Sequence, residues 1–289
     1  MEFTADISDH LGRCIARIGT DQLWQGVHDL VATAVPHQMG AAFVYADQDP
    51  PVRIFDSEGN AQRDELHQIL ANIGYMISPY YNGLIRTGAG SGFYPIDQVA
   101  PDEFRKSEYF EVYYGRKLVE DEGMFLCRVD ENITLVFMVE RHKETELFSQ
   151  DELDALRNLH PVVFSLISRH VALTGLGEIM SPESRANRTA FREVTEKFGT
   201  KILSARERDV AMLILRGHSS KSAARILEIS PETERVHRRR LYTRLGISSH
   251  SELFWLFLQA SDYLNPNTGN DPLLDFLRDK KPEVLPRPR

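Results

Sequence analysis

With 289 residues, 42% of them hydrophobic, the chain has enough material for two domains, each with its own core. Two cysteines, Cys14 and Cys127, supply neither a framework of bridges nor metal-ligand spacing, which suits a reducing compartment. The net charge of −8 is unevenly divided: residues 201–260 carry eleven basic and six acidic side chains, residues 1–200 eighteen basic and thirty-one acidic, so only the C-terminal part has a nucleic-acid balance.

The N-terminal stretch MEFTADISDHLGRCIARIG lacks a charged lead before a long apolar run, and no segment approaches the roughly 20 apolar residues that cross a bilayer. A soluble cytoplasmic protein with no membrane partner is expected. Ile7, Leu11, Ile15 and Ile18 make one helical stripe, and Leu23, Val27, Leu30, Val31 and Ala34 make a second that Pro36 stops. Gly40–Ala46 and Val52–Phe55 read as strands around the turn-like residues 47–51. Helical runs follow near 62–85 and 102–117, then a hairpin, Met124–Val129 and Ile133–Glu140, around Asp130-Glu131-Asn132. Ser149, with Glu152 three residues on, opens a long amphipathic helix to Leu173.

Seven of the ten tyrosines fall between Tyr75 and Tyr114, among Phe93, Phe104 and Phe110. Rings with a polar tip suit a small-ligand pocket, and Tyr75, Tyr80, Tyr81, Arg86, Phe93, Tyr94, Tyr109 and Tyr113 are its candidates. The same rings could instead pack a sheet against its helices. Gly88-Ala89-Gly90-Ser91-Gly92 lacks the lysine and the strand-to-helix context of a phosphate cradle and reads as a connector. Residues 177–200 read as a linker stiffened by helix around Phe191–Phe198. The tail 263–289 holds one apolar run, Leu273–Leu277, before the proline-rich PEVLPRPR, expected to be disordered. No Ser/His/Asp order, metal-ligand spacing or paired carboxylate stands out, so no enzyme, cofactor or metal is expected.

The densest signals lie in Leu203–Leu258. Ser204 with Glu207 makes a capping box, Ser230 precedes a first-turn Pro231, and Ser249 with Glu252 repeats the box. Gly217 and Gly246 stand just past apolar runs, where a left-handed residue closes a helix. Four short helices with a central turn result, and the third turns Leu241 and Leu245 inward. Arg235, Val236, Arg239 and Thr243 then project from the opposite side. An arginine-rich face of this kind meets an anion.

The segment resembles the LuxR/GerE-type (NarL-like) helix-turn-helix of bacterial transcription regulators at Leu203, Ser204, Arg206, Glu207, Gly217, Lys221, Ala224, Leu227, Ser230, Thr233, His237, Tyr242, Leu245 and Gly246. The resemblance implies that the helix after Ser230 enters the major groove, with Arg235, Val236 and Arg239 at base edges. It gives Ser219, Ser220, Lys221, Ser230, Thr233, His237, Arg238, Arg240 and Arg244 backbone or supporting roles. The apolar residue that usually follows the threonine is Glu234 here, on the inward seam. Arg238, four residues later, is its expected partner above the small Ala223.

Helices, strand pair, helical middle, hairpin and closing helix resemble, in order, the GAF/PAS-type sensor fold. A two-domain α+β protein is expected: residues 1–176 for ligand sensing and dimerisation, 177–200 as linker, 201–262 for DNA, and 263–289 as tail. The expected function is a transcription regulator on double-stranded DNA, controlled by a small-molecule effector. One short recognition helix reads few bases, so a homodimer is expected, through Ser149–Leu173 or through Leu253, Phe254 and Phe257. RNA polymerase is a further candidate partner. Two alternatives are a phosphorylated response regulator, for which Asp56 stands at a strand end, and an acyl-homoserine-lactone receptor. The second usually draws on more tryptophans than Trp24 and Trp255.

Overall fold

A computed structural model describes residues 4–46, 49–58, 74–115, 119–142, 144–177, 181–265 and 269–280. The expectations for residues 47–48, for the helical run at 62–73, for residues 116–117 and for the terminal PEVLPRPR lie outside the described residues. Among the described helices none is long and apolar enough to cross a membrane.

The chain divides into two compact units, and the division does not follow chain order. One gathers the described residues of Met1–Arg63, Tyr80–Val99 and Lys117–Arg185; the other those of Asp64–Pro79, Ala100–Arg116 and Ala186–Arg289.

In the first unit, α1 (Ala5–Arg17) starts where the Thr4 hydroxyl accepts from the Ile7 amide, and α2 (Leu23–Ala34) packs along it. The contact is close because Gly26 has no side chain: a Cβ there would come within 3.2 Å of the buried Cys14 sulfur. Ile7 and Cys14 face inward and Ile15 faces solvent, which corrects the expected stripe. On a helical wheel Ile15 lies about 80° round from Ile7, at the margin of the stripe that Leu11, Cys14 and Ile18 share.

Strands β1 (Met39–Ala46), β2 (Val52–Asp56), β3 (Gly92–Pro95), β4 (Val119–Arg128) and β5 (Ile133–His142) form one sheet in the order β2-β1-β5-β4-β3. Every strand pairing among the described residues is antiparallel. The β4–β5 turn is tied by the Asp130 carboxylate, which accepts from the amides of Asn132 and Ile133 at 2.8 Å. One sheet face carries Ala42, Val44, Phe93, Phe125, Cys127, Leu135, Phe137 and Val139 against α1, α2 and α4 (Gln150–Thr174). Strand alternation places Tyr45, Tyr94, Met124 and Met138 on the other face. A single turn, α3 (Ile96–Val99), follows β3.

α4 opens with the capping box that Ser149 and Glu152 predict, and its C-cap Gly175 is left-handed at φ 62. Leu156, Leu159, Val163, Ile167 and Val171 are spent on the core of their own unit. That face is therefore not free to form a dimer, and Leu173 is exposed near the end of this helix.

α5 (Pro182–Glu196) spans the expected linker and links the units in chain order. In the second unit, α6 (Ala205–Leu215), α7 (Ser220–Ile226), α8 (Pro231–Leu245) and α9 (His250–Ala260) are the four expected helices. α6 and α7 both pack on α8, and Val210, Ile214, Ala223, Leu241, Leu245, Leu253, Phe254 and Phe257 are buried. Leu253, Phe254 and Phe257 thus belong to this core, which removes the second expected dimer face.

The apolar run in the tail is ordered. α10 (Pro272–Lys280) buries Leu273, Phe276 and Leu277 and packs on α9. The Asp271 carboxylate before it accepts from the amides of Gly199 (2.9 Å), Lys201 (2.8 Å) and Leu273 (3.0 Å).

Candidate DNA interface

Each helix of the reader is set by its own ends. The Ser204 amide donates to the Glu207 carboxylate at 2.8 Å, and the Glu207 amide donates back to the Ser204 hydroxyl. The buried Glu207 also meets Arg244 Nε at 3.4 Å, and Arg244 Nη1 donates to the Ile202 carbonyl at 3.0 Å. Arg244 therefore ties the end of α8 to the start of α6.

The turn between α7 and α8 forms without glycine. Glu228 takes φ 56, uncommon for a residue with a Cβ, and the Ile229 amide donates to Ala224 O at 3.0 Å. Ser230 then accepts from the Thr233 amide at 3.1 Å, with Pro231 in the first turn of α8. Gly246 closes α8 at φ 62. At the start of α9, Ser249 accepts from the Glu252 amide, but the Glu252 carboxylate returns to Ser248 instead, so only half of the expected box forms.

Fixed at both ends, α8 presents Arg235, Val236, Arg239, Arg240 and Thr243 to solvent. Val236 is 48% exposed among these arginines. Apolar contact with a thymine methyl and paired donors for guanine are what this face can offer a major groove. Arg239 lies along an open groove with Arg235, Tyr242, Thr243 and Ile247. Lys221 is exposed, and Ser220 and His237 are half-buried.

The inward side of α8 holds its charged departure from an apolar seam. Glu234 is 0% exposed, and Arg238 Nε and Nη2 donate to its Oε1 at 2.9 and 2.7 Å. Arg238 Nη1 also lies 2.8 Å from His250 Nε2. A guanidinium only donates, so this imidazole nitrogen accepts and the ring proton sits on Nδ1. Burial, with the Arg238 charge second, lowers the His250 pKa and favours that neutral ring. Arg238 is thus held by Glu234 and His250.

Ser219 caps α7, accepting from the Ser222 amide at 3.1 Å, while its own amide and hydroxyl donate to the Asp102 carboxylate at 3.1 and 2.5 Å. Asp102 lies 117 residues upstream, where no local pattern could announce the contact.

The candidate ligand-pocket residues are divided between the two units. Tyr80 and Tyr81 are buried in the first unit; Tyr80 donates to the Glu122 carbonyl at 3.3 Å, and Tyr81 stacks on Tyr45. Burial, with Glu122 next, raises the Tyr80 phenol well above its ordinary range. Tyr94 is half-buried on the Met124 side of the sheet, whereas Phe93 points the other way and packs on Phe125. Arg86 is exposed and donates to Asn82 at 3.0 Å. Tyr75, Tyr109 and Tyr113 fall in the second unit, where Tyr109 packs with Phe104 and Tyr114. Of the eight, Tyr80, Tyr81, Arg86, Phe93 and Tyr94 fall in the first unit. Among the described residues no group of three or more potential ligands could hold a metal ion.

Four capped helices around a shared core, with an exposed arginine face on the third, define a helix-turn-helix of the DNA-reading class. Residues 201–257 match the model of the bacterial regulatory proteins of the luxR family, so the chain carries a LuxR-family helix-turn-helix domain at its C-terminus, the module of a transcriptional regulator. The chain is 28% identical over 177 residues to an Aeromonas salmonicida protein named an HTH-type transcriptional regulator in the exeN 3' region, covering 60% of this chain and 90% of that protein. It is 32% identical over 124 residues to the nitrate/nitrite response regulator protein NarL of Escherichia coli strain K12, covering 41% of this chain and 56% of NarL. Among solved structures, the VqsR LBD domain from Pseudomonas aeruginosa shares the fold, with a TM-score of 0.52 at 18% identity over 59% of this chain and 99% of that one.

Proposed function

We propose that this protein is a sequence-specific DNA-binding transcription regulator of the cytoplasm, controlled by a small molecule bound in its N-terminal region. The observation that carries the DNA reading is the exposed Arg235–Val236–Arg239 face on a helix fixed at both ends within a LuxR-family domain. We assign Arg235, Val236 and Arg239 to base edges. Ser220, Lys221, Thr233, His237 and Arg240 we assign to the backbone or to support of the helices, and catalysis to no residue.

An effector pocket is supported by the buried Tyr80 and Tyr81 in a unit whose fold is that of a solved LBD domain. Residues 1–176 would supply that pocket and 201–262 the reader. A homodimer would place two readers on two half-sites and multiply specificity, and RNA polymerase would be the downstream partner. Such control requires the effector to bind one state of the protein better than another.

The phosphoreceiver alternative has a structural objection. A receiver is a parallel doubly wound sheet, while every described pairing here is antiparallel and Asp56 is engaged by Arg53 at 2.9 Å. The acyl-homoserine-lactone reading gains nothing from the tryptophans: Trp24 packs on His170 and Trp255 is 41% exposed on α9. The test is genome-wide capture of bound DNA by the wild type and by Arg239→Ala. The proposal expects a loss of specific sites in the variant; the same sites with the same motif would overturn base reading by Arg239.

A further inference from the structure

Ala100–Arg116 lies between β3 and β4 in the sequence yet belongs to the unit of the DNA reader, where it is fastened to the helix-turn-helix itself. The Glu103 amide donates to Gly217 O at 3.0 Å, in the turn that joins α6 to α7. The Asp102 carboxylate takes both the amide and the hydroxyl of Ser219. The Glu108 carboxylate accepts from the Ser251 hydroxyl in the first turn of α9. Gly217 is shaped to this contact: it stands at φ 85, and a Cβ there would come within 2.7 Å of the Phe104 Cα. Phe104 is 2% exposed and packs edge-on against Phe110 and Tyr114. Three polar anchors and a backbone-to-backbone approach make a built interface on one side of the reader.

Ser219 caps α7, the helix before α8. In a helix-turn-helix the helix before the recognition helix crosses the phosphate backbone, and serine hydroxyls and main-chain amides are common phosphate contacts. A carboxylate already holding that hydroxyl and amide occupies the place of a phosphate oxygen and repels the next anion to arrive. We propose that Ala100–Arg116 is an intramolecular brake, docked on the helix-turn-helix through Asp102, Glu103 and Glu108, that excludes the DNA backbone from α7 until it detaches. Burial tends to raise the Asp102 carboxyl, but the Ser219 hydroxyl and amide outweigh it and hold it below its ordinary value, so the brake keeps its charge at neutral pH. In sequence the segment is preceded by α3 and β3 and followed by β4. Events in the sheet can therefore reach the brake through the chain itself.

The inference rests on the reading of α7 and α8 as the DNA interface, and the experiment separates the two. Full-length wild type, Asp102→Ala, Arg239→Ala and the double variant are titrated on a captured operator and on a scrambled duplex, and amide exchange is followed at Glu103 and Ser219. The brake predicts that Asp102→Ala tightens operator binding by about tenfold, because apparent affinity scales with the fraction of undocked protein. It also predicts that operator DNA speeds exchange at the Glu103 amide in the wild type, and that Arg239→Ala weakens operator binding by about tenfold in either background. If Arg239→Ala binds the operator more weakly while Asp102→Ala binds no tighter, or the Glu103 amide stays protected in the complex, the brake is wrong and the DNA reading stands. If Arg239→Ala binds the operator as tightly as its parent in both backgrounds, the DNA reading itself fails, and the brake with it.

Discussion

Glu234 is fully buried where an aliphatic side chain would seal α8 against α7, and the structure shows how the charge is kept there: Arg238 grips one carboxylate oxygen twice and extends to His250. Removing one member of a buried pair strands the other, which typically costs about 3–5 kcal/mol, whereas an apolar replacement of both is often neutral. Arg238→Met is therefore expected to destabilise the reader by about 3 kcal/mol in urea unfolding, and Glu234→Val/Arg238→Met to regain most of that loss. Equal destabilisation by the single and double variants would show that the pair is not the source of the cost. The Glu234–Arg238 contact was legible in the sequence because acid and base stood four residues apart on one helical side. The grip of Asp102 on Ser219 was not, because nothing local marks a bond made across 117 residues.

Elements were legible where periodicity or caps were strong. The four reader helices, α4 and the β4–β5 hairpin all follow from such marks. β3 escaped notice because it has four residues and starts at a glycine, so alternation had no length in which to show. The middle of the chain reads as helix but forms single turns such as Phe104–Lys106 and the wide turn Tyr81–Ile85, in which the Arg86 amide reaches Tyr81 O at 2.9 Å. Element junctions of the first unit converge on Arg141 at the end of β5, which donates to Pro36 O after α2, to Leu147 O, and to both oxygens of Glu152 in the first turn of α4. The Arg141 hydrogen bond, more than any other cause, lowers the Glu152 carboxyl from 4.5 to about 2. The folded pKa lies below the unfolded one, so this contribution is complete above about pH 5 and is lost as pH falls towards 2. With screening by solvent it amounts to about 2 kcal/mol. Arg141→Met should flatten the stability profile between pH 5 and pH 3, measured by urea unfolding at each pH; an acid limb unchanged from wild type would assign the loss to other carboxylates.

For the molecule as a whole, the sequence correctly suggested an α+β N-terminal region and a helical C-terminal reader, because composition and charge change along the chain. The discontinuous membership of the units was hidden, since residues 100–116 carry no feature that assigns them to a partner distant in sequence. The tail shows only one apolar run in sequence, yet Asp271 before α10 holds three amides that frame the start of the reader. Asp271→Ala leaves those amides without their acceptor and should cost about 2 kcal/mol. Deleting residues 270–289 should cost more, since it also uncovers the α9 surface beneath Leu273, Phe276 and Leu277. Thermal unfolding followed through the reader's transition checks both, and an unchanged midpoint on deletion would show that α10 is an ornament of the fold.

The central claim is that α8 reads bases through Arg239. The measurement that tests it most directly is the affinity of wild type and Arg239→Ala for an operator and for its set of single-base-pair variants at fixed salt. The account predicts that the variant loses about 1–3 kcal/mol on the operator and becomes indifferent to substitution at one guanine position, keeping its preferences elsewhere. A uniform loss across all sequences, or no loss at all, would contradict it.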